Sequence, residues 1–189
     1  NQIQKYVKEG VFTGLFNMVQ VFFAITPEDS LYFANYGKWE NANPAFYFHW
    51  MTKDNKPIKD WRQLCKGPSQ ILSIPEAHKL IGYYVVADKG KNVLKVLRSY
   101  QYYAINAIFN RVREHDWNTY SPLGGYIWCT TGGGKTLTSF KTGQLLHDLN
   151  VCDKVVFVVD RIDLNTQTET EYNSFALDSD TIRNPDSSI

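Results

Sequence analysis

Seven residues carry the clearest chemistry in the chain: Thr130-Thr131-Gly132-Gly133-Gly134-Lys135-Thr136. Glycines in a turn let backbone amides face inward, and the positive end of a following helix adds to their pull on an anion. A loop closing on Gly-Lys-Thr is the arrangement that cradles nucleotide phosphates. Lys135 would meet the β- and γ-phosphates as a point charge, and the Thr136 hydroxyl would ligate Mg²⁺. Such a loop must lie between a strand and a helix. Gly125-Tyr126-Ile127-Trp128-Cys129 reads as a short buried strand, and residues 137–149, apolar at 137, 140, 145, 146 and 149, read as a helix with one face inward. A glycine-rich turn with a solvated lysine is the plainer alternative; the order strand, loop, helix favours the phosphate site.

The strict pattern has glycine where Cys129 stands. Helicase-type nucleotidases relax that position, whereas small kinases and GTPases usually keep it, so the departure leans toward a nucleic-acid motor. Downstream, Lys154-Val155-Val156-Phe157-Val158-Val159-Asp160 reads as a second apolar strand ending in a carboxylate. Asp160 is open to two readings. As a Walker B residue it would hold Mg²⁺ through water, but Arg161 follows where hydrolysing motors commonly place Glu. The favoured reading is a helicase motif Ia, in which Arg161, Asp163 and Gln167 lie beside a DNA track and touch backbone rather than bases. A plain helix start capped by Asp160 or Asp163 is compatible with either. Upstream, Gln101 has the paired amide donor and acceptor that the N6 and N7 edge of adenine requires; taken without the phosphate loop, an exposed glutamine at a helix start is the plainer reading.

Bulk composition restricts the setting. Net charge is +1, so no global basic field draws the chain to nucleic acid, and any DNA contact is local. Eleven Phe, twelve Tyr and five Trp are enough for a folded core. Cys65, Cys129 and Cys152 are widely spaced and read as reduced thiols of a cytoplasmic protein. His49, His78, His115 and His147 lack metal-ligand spacing. No apolar run reaches membrane-spanning length. The chain starts at Asn1 in what reads as mid-helix, which suggests a piece of something longer.

The remaining pattern predicts a helix over 1–9 stopped by Gly10, strands over 19–25 and 31–35 around a turn at Thr26-Pro27-Glu28-Asp29, and a further strand over 45–51. Helices are expected over 58–65 and from Ser73 to about Leu80, strand-like runs over 83–87 and 93–97, and a long amphipathic helix over 99–114. From residue 99 onward, helix, strand, loop, helix, strand and a helix over 163–175 imply an α/β unit with a parallel sheet. Strand pairs dominate before about residue 66. The organisation is therefore 1–66, a connecting segment 67–92, and 93–189.

Several runs together resemble the restriction (R, motor) subunit of type I restriction enzymes, a group of superfamily-two translocases. They are Asn1-Gln2-Ile3-Gln4-Lys5-Tyr6, Tyr32-Phe33-Ala34-Asn35, Lys91-Asn92-Val93-Leu94-Lys95-Val96, Tyr100-Gln101-Tyr102-Tyr103-Ala104, Gly125 to Trp128, Thr130 to Thr136 and Lys154 to Leu164. The resemblance implies that 1–66 ends a RecB-like nuclease domain and that 93–189 begins a RecA-like motor lobe. It implies that Gln2 and Tyr6 form the nuclease's Gln-x-x-x-Tyr element, and that Gln101, Thr131, Gly132, Gly133, Gly134, Lys135 and Thr136 hold ATP with Mg²⁺. The family usually has serine at position 133, and glycine there should loosen the loop. Partners implied are double-stranded DNA and the modification and specificity subunits. The nuclease carboxylates and the second motor lobe are not among these residues, so the 189 residues alone are expected to be inactive. A small kinase or other phosphate-loop nucleotidase, with Asp160 as Walker B, is the alternative.

Overall fold

A computed structural model describes residues 2–37, 42–67, 70–120, 124–160, 162–177 and 182. The chain forms two compact units, Asn1–Tyr100 and Gln101–Ile189.

The first unit opens with α1 (Gln2–Lys8), which ends before Gly10, a residue in the left-handed region at φ 70°. Strands β1 (Val21–Ile25) and β2 (Ser30–Ala34) pair antiparallel, Val21 opposite Ala34 and Ile25 opposite Ser30. Their turn closes where the Thr26 amide donates to the Asp29 carbonyl at 2.8 Å, and the Thr26 hydroxyl accepts from the Asp29 amide at 3.0 Å. Residues 45–51 do not form the expected strand. Pro44 starts a short 3-10 turn (Pro44–Phe46), capped by the Asn43 side chain, and only single bridges remain at Phe48 and Met51. Proline presets the turn and withholds a ladder donor, which overrides the aromatic pattern.

Helix α2 (Trp61–Lys66) starts at Asp60, whose carboxylate accepts from the Arg62 amide. Helix α3 (Ile74–Tyr83) has Pro75 in its first turn. Strands β3 (Val85–Asp88) and β4 (Val93–Val96) then make a second antiparallel hairpin. Buried Asp88 fixes its turn by accepting from the Lys91 amide at 3.1 Å and pairing with Lys95 at 2.7 Å. The core is aromatic: Tyr32, Phe33 and Trp50 are fully buried with Ile58, Leu64, Ile71, Leu80 and Leu97. Phe33 stacks on Tyr47 at 4.4 Å between ring centres. The Tyr32 hydroxyl donates to the Leu97 carbonyl at 2.9 Å, joining β2 to the end of the second hairpin.

Helix α4 (Ser99–Arg113) begins at the division between the units. The second unit continues with α5 (Lys135–Asp148) and α6 (Ile162–Phe175), as the periodicity predicted to within two residues. Its interior holds Ile105, Phe140, Leu145, Leu146, Phe175 and Ala176. The predicted strands at 125–129 and 154–159 are not strands, and both sheets among the described residues are antiparallel. The parallel sheet of the sequence reading therefore does not appear. A parallel pair lacks the short hairpin that secures an antiparallel one, and a two-stranded sheet is marginal in water. Among the described residues, no helix is long and apolar enough to cross a membrane.

Candidate functional site

The glycine-rich loop sits at the start of α5, as its residue order required. Gly132 and Gly134 adopt φ 76° and 70°, a region costly for residues with a Cβ. Gly133 is glycine for a different reason. Its φ is unexceptional, but a Cβ there would collide with the Sγ of Cys129 and lie 3.0 Å from the Thr130 carbonyl oxygen. Cys129, the departure from the strict pattern, thus fills the space that a side chain at 133 would take. Glycine at 133 is packed against that sulfur and buried.

The Gly133 amide donates to the Thr130 carbonyl at 3.1 Å, closing the turn. Among the described residues, the amides of Gly132, Gly134, Lys135 and Thr136 donate to no backbone carbonyl. The last two belong to the set that every helix leaves without an internal acceptor. Lys135 folds back over the turn, its Nζ 3.4 Å from the Thr130 carbonyl oxygen. Thr136 is half-buried, and no hydrogen bond engages its hydroxyl within the described residues. An exposed turn with uncommitted amides, an ammonium folded across it and an adjacent hydroxyl suits a polyphosphate with its divalent ion.

Gln101 reaches the same loop from α4. It is 4% exposed, and its Nε2 donates to the Gly134 carbonyl at 3.2 Å. The Thr138 amide and hydroxyl, each at 3.0 Å, donate to that same oxygen. The structure therefore brings together Gln101, Thr131, Gly132, Gly133, Gly134, Lys135 and Thr136, which are far apart in sequence only at Gln101.

Two other predicted groups lie on other helices. Gln2 and Tyr6 meet on α1, the Gln2 Nε2 donating to the Tyr6 hydroxyl at 2.5 Å. Gln167 lies exposed on α6, its Nε2 on the Glu171 carboxylate at 3.2 Å. Arg161 lies outside the described residues.

Ser139 and Tyr172 escaped the sequence reading. Ser139 Oγ is 2.9 Å from the Lys135 carbonyl and 3.0 Å from that of Thr136, and it accepts from the Tyr172 hydroxyl at 2.8 Å. Burial pushes the Tyr172 hydroxyl above its usual range, partly offset by the Ser139 contact. The only available signal was spacing, Ser139 standing four residues after Lys135, where a helical hydroxyl can bond back to a carbonyl.

The class follows from comparison with known proteins. The family model for the SWI2/SNF2 ATPase matches residues 100–187, the stretch that contains Gln101, the loop, α5 and α6. Over 93% of its length the chain is 35% identical to the type I restriction enzyme SauCOLORF180P endonuclease subunit of Staphylococcus aureus (strain COL), covering 18% of that protein. The SsaAORF53P endonuclease subunit of Staphylococcus saprophyticus shows the same identity and coverage. The C-terminal part of the putative type I restriction enzyme MpnIIP endonuclease subunit, from Mycoplasma pneumoniae, is 46% identical over 43% of this chain and 42% of its own length. The chain is thus a homologue of type I restriction enzyme endonuclease subunits, and the match to the SWI2/SNF2 ATPase model falls almost wholly within its second unit. It spans 18% of the length of the staphylococcal relatives.

Proposed function

We propose that the loop Thr130–Thr136 binds ATP with Mg²⁺ and that the chain is part of an ATP-dependent DNA translocase and endonuclease subunit working in the cytoplasm. The observation that carries this reading is the convergence of the Lys135 ammonium and the Gln101 amide on one turn with uncommitted amides. In this account the loop amides and Lys135 hold the β- and γ-phosphates, and the Thr136 hydroxyl takes the metal. Gln101, whose Nε2 donates to the Gly134 carbonyl beside the loop, is the residue this account assigns to the adenine edge. Bound Mg²⁺ would neutralise charge on the phosphates.

Arg161 and Gln167 contact the backbone of double-stranded DNA, and Asp160 ends the motif Ia strand. The segments 125–129 and 154–159 enter a parallel sheet completed by other strands of the motor lobe. Their side chains support this: Val155 packs 3.5 Å from the site of a Cβ on Gly143, and the Phe157 and Tyr172 rings are 5.4 Å apart, while Val156 and Val158 face out. Alternation with period two is strand behaviour. Residues 1–66 belong to the nuclease domain, with Gln2 and Tyr6 beside its reacting phosphate, 67–92 connect, and 93–189 open the motor domain. Modification and specificity subunits complete the complex.

The test is ATP hydrolysis by the full-length subunit assembled with its partner subunits, with and without duplex DNA. DNA-stimulated turnover lost in Lys135→Ala is the expected result. Undiminished turnover in that variant would remove the loop from the mechanism.

A further inference from the structure

The first turn of α5 is held from outside the loop. Ser139 Oγ lies against the carbonyls of both Lys135 and Thr136, sharing its proton between them, and a lone pair of the same oxygen takes the Tyr172 proton. Tyr172 stands on α6, and its ring packs edge-on to Phe140 at 5.3 Å and tilted against Phe157 at 5.4 Å. The phenol is therefore placed by aromatic packing, independently of its hydroxyl. Donation from Tyr172 polarises the Ser139 hydroxyl and strengthens its hold on the two carbonyls, because linked hydrogen bonds reinforce one another.

Those carbonyls belong to the two residues whose side chains would meet the phosphates and the metal. Resting on the phosphate-loop reading above, we propose that Tyr172 and Ser139 are positioning residues that pin Lys135 and Thr136 for the nucleotide from helix α6. Neither touches the nucleotide. They act by limiting the freedom of the helix turn that bears the groups that do, so their loss weakens ATP binding and leaves the chemical step intact.

The experiment is steady-state ATP hydrolysis by the full-length subunit in its complex, comparing Tyr172→Phe, Ser139→Ala, the double variant and Lys135→Ala. Tyr172→Phe keeps the ring and removes only the hydroxyl, and thermal melting verifies that each variant folds. The expected result is a KM for ATP raised about fivefold in each single variant, the worth of one neutral hydrogen bond. The kcat at saturating ATP stays within about twofold of the parent, and the double variant is no worse than either single one, as members of one chain behave. A parental KM in both single variants, with activity lost in Lys135→Ala, would overturn the positioning role and leave the loop's role standing. Additive effects in the double variant would also overturn it. Parental KM and kcat in Lys135→Ala would instead bring down the phosphate-loop reading itself.

Discussion

The unit Asn1–Tyr100 and the unit Gln101–Ile189 solve the same problem with different success. In the first, every apolar strand has a neighbour a short turn away, and Tyr32, Phe33 and Trp50 disappear into an aromatic core. In the second, helices form, but among the described residues the two apolar segments between them do not pair. Tyr126 and Trp128 are 88% and 89% exposed, and Val156 and Val158 are 84% and 85% exposed. A helix satisfies its own backbone, whereas a strand depends on another strand. The candidate site lies in the less completed unit, on a turn defined by local backbone geometry.

That contrast can be broken or sharpened by substitution. The largest effect is expected at the centre of the first unit, where Trp50→Ala should destabilise by about 3–5 kcal/mol in urea unfolding followed by circular dichroism. Next comes Gly134→Ala. It places a Cβ at φ 70° and 2.6 Å from the Gln101 Nε2, and should cost about 1–2 kcal/mol of stability as well as ATP affinity. Gly133→Ser should be milder, since only the rotatable Cys129 thiol and the Thr130 carbonyl oppose it, and Cys129→Gly in the same protein should relieve it. Val156→Lys and Val158→Lys should change the stability of the 189-residue chain by no more than about 0.5 kcal/mol, as surface substitutions do. A large loss there would show that these segments are covered after all.

The smallest effect concerns acid. The hydrogen bond from His49, 2.7 Å away, is the main cause holding the Asp29 carboxyl below its ordinary value of 3.8. A depressed carboxylate stabilises the fold above its unfolded value and loses that contribution as pH falls through the lower folded one. Melting temperatures of the parent and Asp29→Asn should therefore converge as pH drops below 3.8. A gap that widened on acidification would reverse the sign of this contact.

Local signals were legible and long-range pairing was not. Gly10, the Thr26–Asp29 turn and the 3.6-residue periodicity of α4, α5 and α6 announced their elements because each depends on neighbours within a few residues. The run 45–51 misled because Pro44 begins a turn, and 125–129 and 154–159 misled because an apolar run of strand length does not supply its own partner. At the site, the glycines, Lys135 and Thr136 were readable as a motif. Gln101 was readable as a residue type, but its burial against Gly134 was not. Tyr172 gave no signal, since its contact with Ser139 spans 33 residues.

The phosphate loop is the claim on which the functional account stands, and calorimetric titration of the full-length subunit with MgATP tests it most directly. The parent should bind, and Lys135→Ala should bind at least about tenfold more weakly, the loss of one charge-assisted contact. Equal affinities in the two proteins would contradict the account.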